Sequence, residues 1–340
     1  MRLHWTADWN MIGNGFGYST HQRMLRAALE RAGVEMSPDS PVAVHIIVPP
    51  NFEPVPGKFN ILYTMYEGQV LPDEWIMPVQ LADLVVVPCR HNMAVFKQYT
   101  DRPVEYCWEG VDTDQFAFVE RTFPKAPEPF RYLWVGASNP RKGYEHVCLA
   151  WAMFLQEHPK EAARSVLVMK TTQDDRKERL VRFPSGNAYV DTRVYSLQNL
   201  AALYQISHCF LFPTMGEGFG LTLAEAMSTG LPCIYTDWSG PKDFISEREG
   251  YPLRFVMKET GTVKRLAIGK TVDYHRTISV SADVEHLVRR MVQVQADYAE
   301  ALRRGRRAAE RIRRDITWER SAESFMDIVE RHTGERRKAA

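Results

Sequence analysis

Two α/β domains, each built on a parallel sheet and joined by a proline-rich linker, are what this sequence predicts. Short apolar runs of strand length alternate with helical patterns through most of its 340 residues. The alternation breaks at a cluster of Pro124, Pro127 and Pro129, then restarts. The chain is also long for one compact core and comfortable for two domains of ordinary size.

In the first half, Val42–Val48, Asn60–Tyr63 and Leu84–Val87 read as buried strands. Helical patterns lie around them at Ser19–Ala32, Pro72–Leu81 and Asn92–Tyr99. Phe116–Phe130 should be extended, because a residue that precedes proline is kept out of the helical region. Arg131–Gly136 then reads as a strand running into a turn, with a helix from about Tyr144 to His158. Strands follow at Ser165–Met169, His208–Phe212 and Pro232–Thr236, and helices at Ser196–Ile206 and Gly220–Thr229. From Ala282 the pattern is helical almost to the end.

Composition sets outer limits. Hydrophobic residues make up 45% and charged residues 25%, the balance of a soluble globular protein. No apolar run approaches the ~20 residues that span a bilayer. The N-terminus, with His4, Asp8 and Asn10, has no signal-peptide core, so a cytoplasmic protein is expected. Cys89, Cys107, Cys148, Cys209 and Cys233 are scattered through mostly apolar segments, which argues against a zinc site or a disulfide framework. A net charge of +1 advertises no anionic partner for the molecule as a whole.

The most informative stretch is FPTMGEGFGLTLAEAMSTGLPCIYTD, Phe212–Asp237. A strand ends at Pro213, a glycine-rich loop follows, and a helix begins near Gly220. Gly230 and Pro232 supply its stop. Backbone N–H groups of Gly218, Phe219 and Gly220 would point out of the helix N-terminus and could hold an anion. Glu217 lies on the loop and Glu225 inside the helix, and a carboxylate can accept from two neighbouring sugar hydroxyls. The bland alternative is an amphipathic helix with two solvated acids. Agreement among glycines, glutamates, caps and flanking strands weighs against it.

EGFGLTLAEAMSTGLPCI resembles the signature of retaining glycosyltransferases of family four, with Glu217 and Glu225 as the glutamates of its Glu-x7-Glu motif. The resemblance implies the GT-B architecture, two Rossmann-like domains facing each other across a cleft. It also implies transfer of a sugar from a nucleotide-diphosphate donor, a UDP- or GDP-sugar, with no metal or other cofactor. Glu225 would bind the donor ribose. Glu217 would approach the donor sugar, with the backbone of Gly218, Phe219, Gly220 and Leu221 beside it.

Further segments carry the resemblance. VGASNPRKGYEHV (Val135–Val147) is similar to the family's strand–loop–helix element with a Lys-Gly pair, which makes Lys142, helped by Arg141, the diphosphate-binding cation. GVDTDQF (Gly110–Phe116) looks like the end of the N-terminal domain. SLQNLAALY (Ser196–Tyr204) resembles the helix before the glutamate motif and puts Arg193, Val194 and Tyr195 near the nucleotide base. ITWERSAESF (Ile316–Phe325) resembles a C-terminal helix that packs back on the first domain. The expected units are therefore 1–122 for the acceptor, 123–315 for the donor, and 316–340 returning to the first.

Two departures stand out. Ala137 occupies the position where the family usually has an arginine after the glycine. Where the family often carries an acceptor-side histidine, ILYTMYEGQVLPDEW offers Tyr66 and Glu67. Glu217, Lys142 and Glu67 are thus the catalytic candidates, with Glu67 equally readable as an exposed strand-end acid. Gly13, Gly15 and Gly17 precede the first helix, where glycine lets backbone approach a phosphate, although a turn alone also needs glycines. Gly15 and Gly17 are preferred as donor contacts.

Other signals mislead. Asp112-Thr113-Asp114 spells DxD, a metal motif of a different glycosyltransferase fold, but inside the Gly110–Phe116 element both acids read as structural. Asp174-Asp175 reads as a solvated loop. A dinucleotide-binding dehydrogenase would need an acid where the next strand ends Val48-Pro49-Pro50, and a P-loop would need Gly-Lys-Ser/Thr where Gly17 is followed by Tyr18-Ser19. A sugar-nucleotide epimerase of the same fold, or a non-catalytic sugar-nucleotide sensor, remains as an alternative.

The acceptor is unidentified: a glycan, lipid, protein or modified nucleic acid. Arg303, Arg307, Arg311 and Arg314 recur at helical spacing, with Arg304, Arg306 and Arg313 beside them. Such a stripe reads first as a solvated face, partly offset by Glu300, Glu310 and Asp315, and otherwise as a surface for anionic lipid or nucleic acid.

Overall fold

Continuous apolar runs such as LVVV at 84–87, buried at every position, belong to strands covered on both faces, and such strands pair in parallel. The computed structural model, which describes residues 1–6, 17–171, 180–182, 187–260, 263–267, 270–274 and 277–335, arranges these runs in two sheets.

The first sheet contains β1 (Arg2–Trp5), β2 (Glu35–Met36), β3 (Val42–Ile46), β4 (Phe59–Tyr63), β5 (Leu84–Val87) and β6 (Val104–Tyr106). Its order is β2-β1-β3-β4-β5-β6, with every pairing parallel. The second sheet contains β7 (Phe130–Val135), β8 (Ser165–Lys170), β9 (Leu180–Arg182), β10 (Ala188–Asp191), β11 (Cys209–Phe212), β12 (Cys233–Thr236) and β13 (Tyr251–Leu253). Its order is β13-β12-β11-β7-β8-β10-β9, parallel except for β9. Open sheets of this kind bind ligands beyond the carboxyl ends of their strands, where the strand order reverses. In the second sheet that point lies between β7 and β11.

Helices α1 (Gly17–Arg31), α2 (Asp73–Leu81) and α3 (Arg90–Phe96) accompany the first sheet, and α4 (Tyr144–Glu157), α5 (Pro159–Ala162), α6 (Leu197–Gln205) and α7 (Leu221–Ser228) the second. The expected C-terminal helical run is three helices, α8 (Val284–Ala296), α9 (Tyr298–Asp315) and α10 (Trp318–Thr333). Side-chain caps make the breaks: Asp297 accepts from the Glu300 N–H and Thr317 from the Arg320 N–H. α10 packs on the first domain. Its Trp318, Phe325, Ile328 and Val329 share a core with Leu3, Leu25 and Leu29. The two strands of chain that cross between domains run side by side, the Val111 N–H donating to the Ile316 carbonyl at 3.0 Å. Gly110 makes this possible, since a Cβ there would lie 2.3 Å from the Trp318 nitrogen.

After Val111 the chain makes a turn over 113–116, and the linker packs on the second domain. Val111 and Phe116 sit in a core with Leu133, Tyr204, Phe212 and Leu231. Arg121 is buried at 9% exposure. Its guanidinium donates to the carbonyls of Tyr204 (3.1 Å), Ser207 (3.1 Å) and Thr229, closing the C-terminal ends of α6 and α7 together.

Several elements differ from expectation. α1 begins at Gly17, two residues before the expected start, because Gly17 adopts helical backbone. β2, β6 and β13 are two or three residues long, too short for a pattern to register. Phe255–Thr260 and Thr277–Ala282 form an antiparallel ribbon continued by Val263–Ala267 and Lys270–Tyr274. This ribbon escaped notice because its residues mix polar and apolar without a continuous apolar run. All five cysteines are free. Among the described residues, no helix is long and apolar enough to cross a membrane.

Candidate active site

The loops leaving β7 and β11 meet at the reversal point of the second sheet. After β7, Asn139 caps a short turn, its side chain accepting from the Lys142 N–H at 3.1 Å. The Trp134 indole N–H donates to the Lys142 carbonyl at 3.0 Å. Gly143 follows with φ of 73°, pressed so closely on Pro213 that a Cβ would come within 2.1 Å of its carbonyl oxygen. Arg141 and Lys142 are thereby fixed against the glycine-rich loop after β11.

On that loop Glu217 is only 5% exposed. Lys142 Nζ lies 2.8 and 2.7 Å from its two carboxylate oxygens. Arg141 Nη1 lies 3.2 Å from Glu217 Oε2. Burial alone would raise the Glu217 pKa, but Lys142 and Arg141 outweigh it and hold the carboxyl below the usual carboxylate range. Arg141 also reaches across to the first domain, its Nη2 lying 3.0 Å from Glu67 Oε1.

Glu67 and Met65 follow β4 and face this loop directly. A Cβ at Gly216 would meet the Glu67 carbonyl oxygen at 2.1 Å, and one at Gly218 would meet Met65 Cβ at 2.7 Å. The two glycines therefore let the domains touch at the charged cluster. Tyr66, expected beside Glu67 in the cleft, is instead buried at 1% exposure and packs edge-on against Trp75. Alternation along the extended chain turns it to the opposite side from its neighbours.

Gly220 adopts φ of 114°, a left-handed conformation suited to glycine, and α7 starts immediately after it at Leu221. Phe219 is buried on Phe244 with ring centroids 4.8 Å apart. Glu225, one turn into α7, accepts from the Tyr204 hydroxyl at 3.0 Å. Its side chain lines a cavity of about 140 Å³ between the domains, with Thr20, Arg23, Leu221 and Trp318. Burial, opposed by the Tyr204 bond and helped by Glu109, pushes the Glu225 pKa up to about 8.

A larger, more open space of about 360 Å³ lies beside α6, lined by Arg193, Val194, Tyr195 and Asn199. Arg193 and the Tyr195 hydroxyl both bind Asp191, at 2.6 and 2.7 Å. This space is separate from the Lys142–Glu217 cluster, where Met65 and Glu67 fill the gap.

Of the remaining sequence candidates, Gly13, Gly15, Asp174 and Asp175 lie outside the described residues. Gly17 is exposed, and no described residue lies within 4 Å of where its Cβ would be. Asp112 accepts from the N–H groups of Asp114 and Gln115 at 3.2 and 2.9 Å, which is a turn-capping role. Among the described residues, no group of three or more His, Cys, Asp or Glu is placed to hold a metal ion.

The arginines of α9 are largely engaged within the protein. Arg303 and Arg304 pair with Glu300, Arg306 with Glu120, and Arg314 with Asp315. Arg307 and Arg311 donate to the carbonyls of Arg248 and Asp243. Sequence spacing showed their shared face and the offsetting Glu300 and Asp315, but not the distant partners Glu120, Arg248 and Asp243. It also missed the contact between Glu67 and Arg141, which joins residues from different domains.

Comparison with known proteins bears on the fold and the family. The solved structures it resembles include sucrose-phosphate synthase of Thermosynechococcus elongatus, with a TM-score of 0.63 and 17% identity over 94% of this chain and 80% of that one. A trehalose 6-phosphate synthase from Burkholderia multivorans gives 0.60 and 10%, covering 95% and 78%. At these identities the likeness shows the fold, the two facing domains of GT-B. A serotype-specific mannosyltransferase WbdA of Escherichia coli is 31% identical over 125 residues, 35% of this chain and 15% of that protein. An uncharacterized glycosyltransferase of Methanocaldococcus jannaschii, MJ1059, is 22% identical over 49% of this chain and 39% of its own length. The chain thus spans well under half of these curated relatives. Residues 97–325, more than half of the chain, match the family described as "Family 4 Glycosyltransferase in conflict systems", and the chain belongs to that family of glycosyltransferases.

Proposed function

We propose that the protein transfers a hexose from a UDP- or GDP-sugar to an acceptor, with retained anomeric configuration and without a metal ion. The observation that supports this best is the meeting of Lys142, Arg141, Glu217 and Glu67 where the two domains touch. Two cations there are matched by two carboxylates. An incoming diphosphate would compete with those carboxylates for the cations, at the place where strand order reverses in the second sheet.

In this reading Lys142 and Arg141 stabilise the negative charge that grows on the leaving diphosphate, more strongly in the transition state than in the ground state. Backbone N–H groups of Gly218, Phe219, Gly220 and Leu221, at the start of α7, add to that field. Glu225 accepts from the ribose hydroxyls in the cavity it lines. Val194 and Tyr195 would contact the base, and Gly15 and Gly17 the phosphates. Glu217 orients the sugar. With retention, the acceptor attacks from the leaving group's own side and gives its proton to a donor phosphate oxygen, and Glu67 lines the acceptor side. A cytoplasmic location would suit free cysteines and a nucleotide-sugar donor.

The test is a screen of common UDP- and GDP-sugars against glycan, lipid, protein and nucleic-acid acceptors. Transfer products with the donor's anomer, read by NMR of the initial product, are expected. An isomerised donor without transfer would make it an epimerase, and the opposite anomer would reject the retaining mechanism.

A further inference from the structure

Glu217 stands between Gly216 and Gly218, both of which are needed because Glu67 and Met65 leave no room for a Cβ. Glycine gives close approach but leaves the backbone loosely held. Something else must fix the peptide that carries Glu217, since its carboxylate has to meet Lys142 at 2.7 Å.

The loop after β12 meets that need. Ser239 accepts from the Glu217 N–H at 2.9 Å, and the next residue, Gly240, donates its N–H to the Glu217 carbonyl at 3.1 Å. Both sides of the Glu217 peptide are held by adjacent residues of one loop. Ser239 is 4% exposed. It is also the one non-glycine residue with positive φ among the described residues, at φ 57° and ψ −135°. Glycine would occupy that conformation at no steric cost, and a serine is strained there. Gly240 is packed so tightly on Phe219 that a Cβ would meet its carbonyl oxygen at 2.3 Å, which fixes the loop against the glycine-rich segment.

We propose that Ser239 is a positioning residue for the transfer reaction: its hydroxyl fixes the main chain of Glu217, and so the carboxylate, against Lys142. This rests on the proposed role of Glu217. Strain at Ser239 persists because the hydroxyl is needed where a glycine would be more comfortable.

Four residues at position 239 separate the hydroxyl from the backbone preference. Ser239→Gly removes both strain and hydroxyl, Ser239→Ala keeps the strain and loses the hydroxyl, and Ser239→Thr keeps both while adding a β-branch. Stability should follow backbone preference, with Ser239→Gly near wild type in Tm and Ser239→Ala and Ser239→Thr lower. Activity should follow the hydroxyl instead. Transfer kcat in Ser239→Gly and Ser239→Ala should fall roughly tenfold, with donor KM within about threefold of wild type, as expected for one lost hydrogen bond to a residue acting in the transition state. Ser239→Thr should retain most of the activity. The Glu217 carboxyl, followed by 13C NMR, should titrate higher in the Gly and Ala variants, a readout that needs no turnover. Activity that follows Tm, or an unmoved Glu217 titration, overturns the proposal. A slow Glu217→Gln enzyme beside a fast Ser239→Gly one overturns this inference alone, whereas a Glu217→Gln enzyme at wild-type rate removes the reading beneath it.

Discussion

Two cationic side chains, buried Arg121 and half-buried Lys142, lie on either side of the second sheet's first strand, and they are satisfied in opposite ways. Arg121, in the linker before β7, gives its N–H groups to neutral acceptors: carbonyls of Val119, Tyr204, Ser207 and Thr229, and the Thr229 hydroxyl. Most of those acceptors lie at helix ends, so the arginine is locked into the fold. Lys142, in the loop after β7, is held by one carboxylate, Glu217, which another anion could replace. A cation that builds structure is surrounded by groups that cannot leave. The cation proposed to serve chemistry is paired with a group that can share it.

Mutating both cations tests that contrast most severely. Lys142→Ala should lower kcat by about 10²–10³, the ~2.7–4 kcal/mol typical of one preorganised charge-stabilising partner, with a cooperative unfolding transition preserved. Arg121→Ala should instead destabilise by ~3 kcal/mol, since one donor shared by carbonyls at two helix ends is lost at a stroke. Chemical denaturation and kcat measured on both variants decide it, and a reversed pattern would exchange their roles. Arg141→Ala should cost clearly less in kcat than Lys142→Ala, because Arg141 divides its bonds between Glu217, Glu67 and the Gly216 carbonyl.

Glu225 sharpens the same contrast from the anionic side. Its bond from Tyr204 leaves the rest of the carboxyl facing a cavity. Glu225→Ala should weaken donor binding roughly tenfold or more, from ~1.5–3 kcal/mol of charge-assisted bonding. The raised pKa adds a pH dependence. With a folded value of about 8, the carboxyl is mostly protonated at neutral pH in the empty protein. Binding two hydroxyls favours the ionised form, so donor affinity should rise with pH and level off above about 8. The sign for stability is opposite. A carboxyl raised above its unfolded value contributes stability at low pH that is lost as pH rises through the folded pKa. Glu225→Gln should therefore flatten both the affinity profile by calorimetry and the stability loss on the alkaline side.

The smallest effect belongs to Glu67. Glu67→Gln should lower transfer several-fold while leaving donor affinity unchanged, and wild-type rates with the true acceptor would remove Glu67 from the site. Loss of donor affinity would place its contribution with Arg141 instead.

Legibility in the sequence follows the range of the interactions involved. The Phe212–Asp237 segment could be read because glycine conformation, helix capping and the two glutamates act within a few residues of one another. Lys142 was legible for the same reason, from a turn and a Lys-Gly pair. Arg121 was not, because its acceptors are Tyr204, Ser207 and Thr229, far along the chain. Ser239 reveals itself only by a backbone angle. On α9 the offsetting Glu300 and Asp315 were legible because they lie within the same few turns, whereas Glu120 and the carbonyls of Arg248 and Asp243, which meet Arg306, Arg307 and Arg311, lie far along the chain.

The central claim is that fixed cations, rather than a metal ion, carry the charge of the leaving diphosphate. Initial transfer rates with and without EDTA test it most directly. The account predicts equal rates, with Lys142→Ala slow in both conditions. Transfer abolished by EDTA and restored by manganese would contradict it and return attention to Asp112 and Asp114.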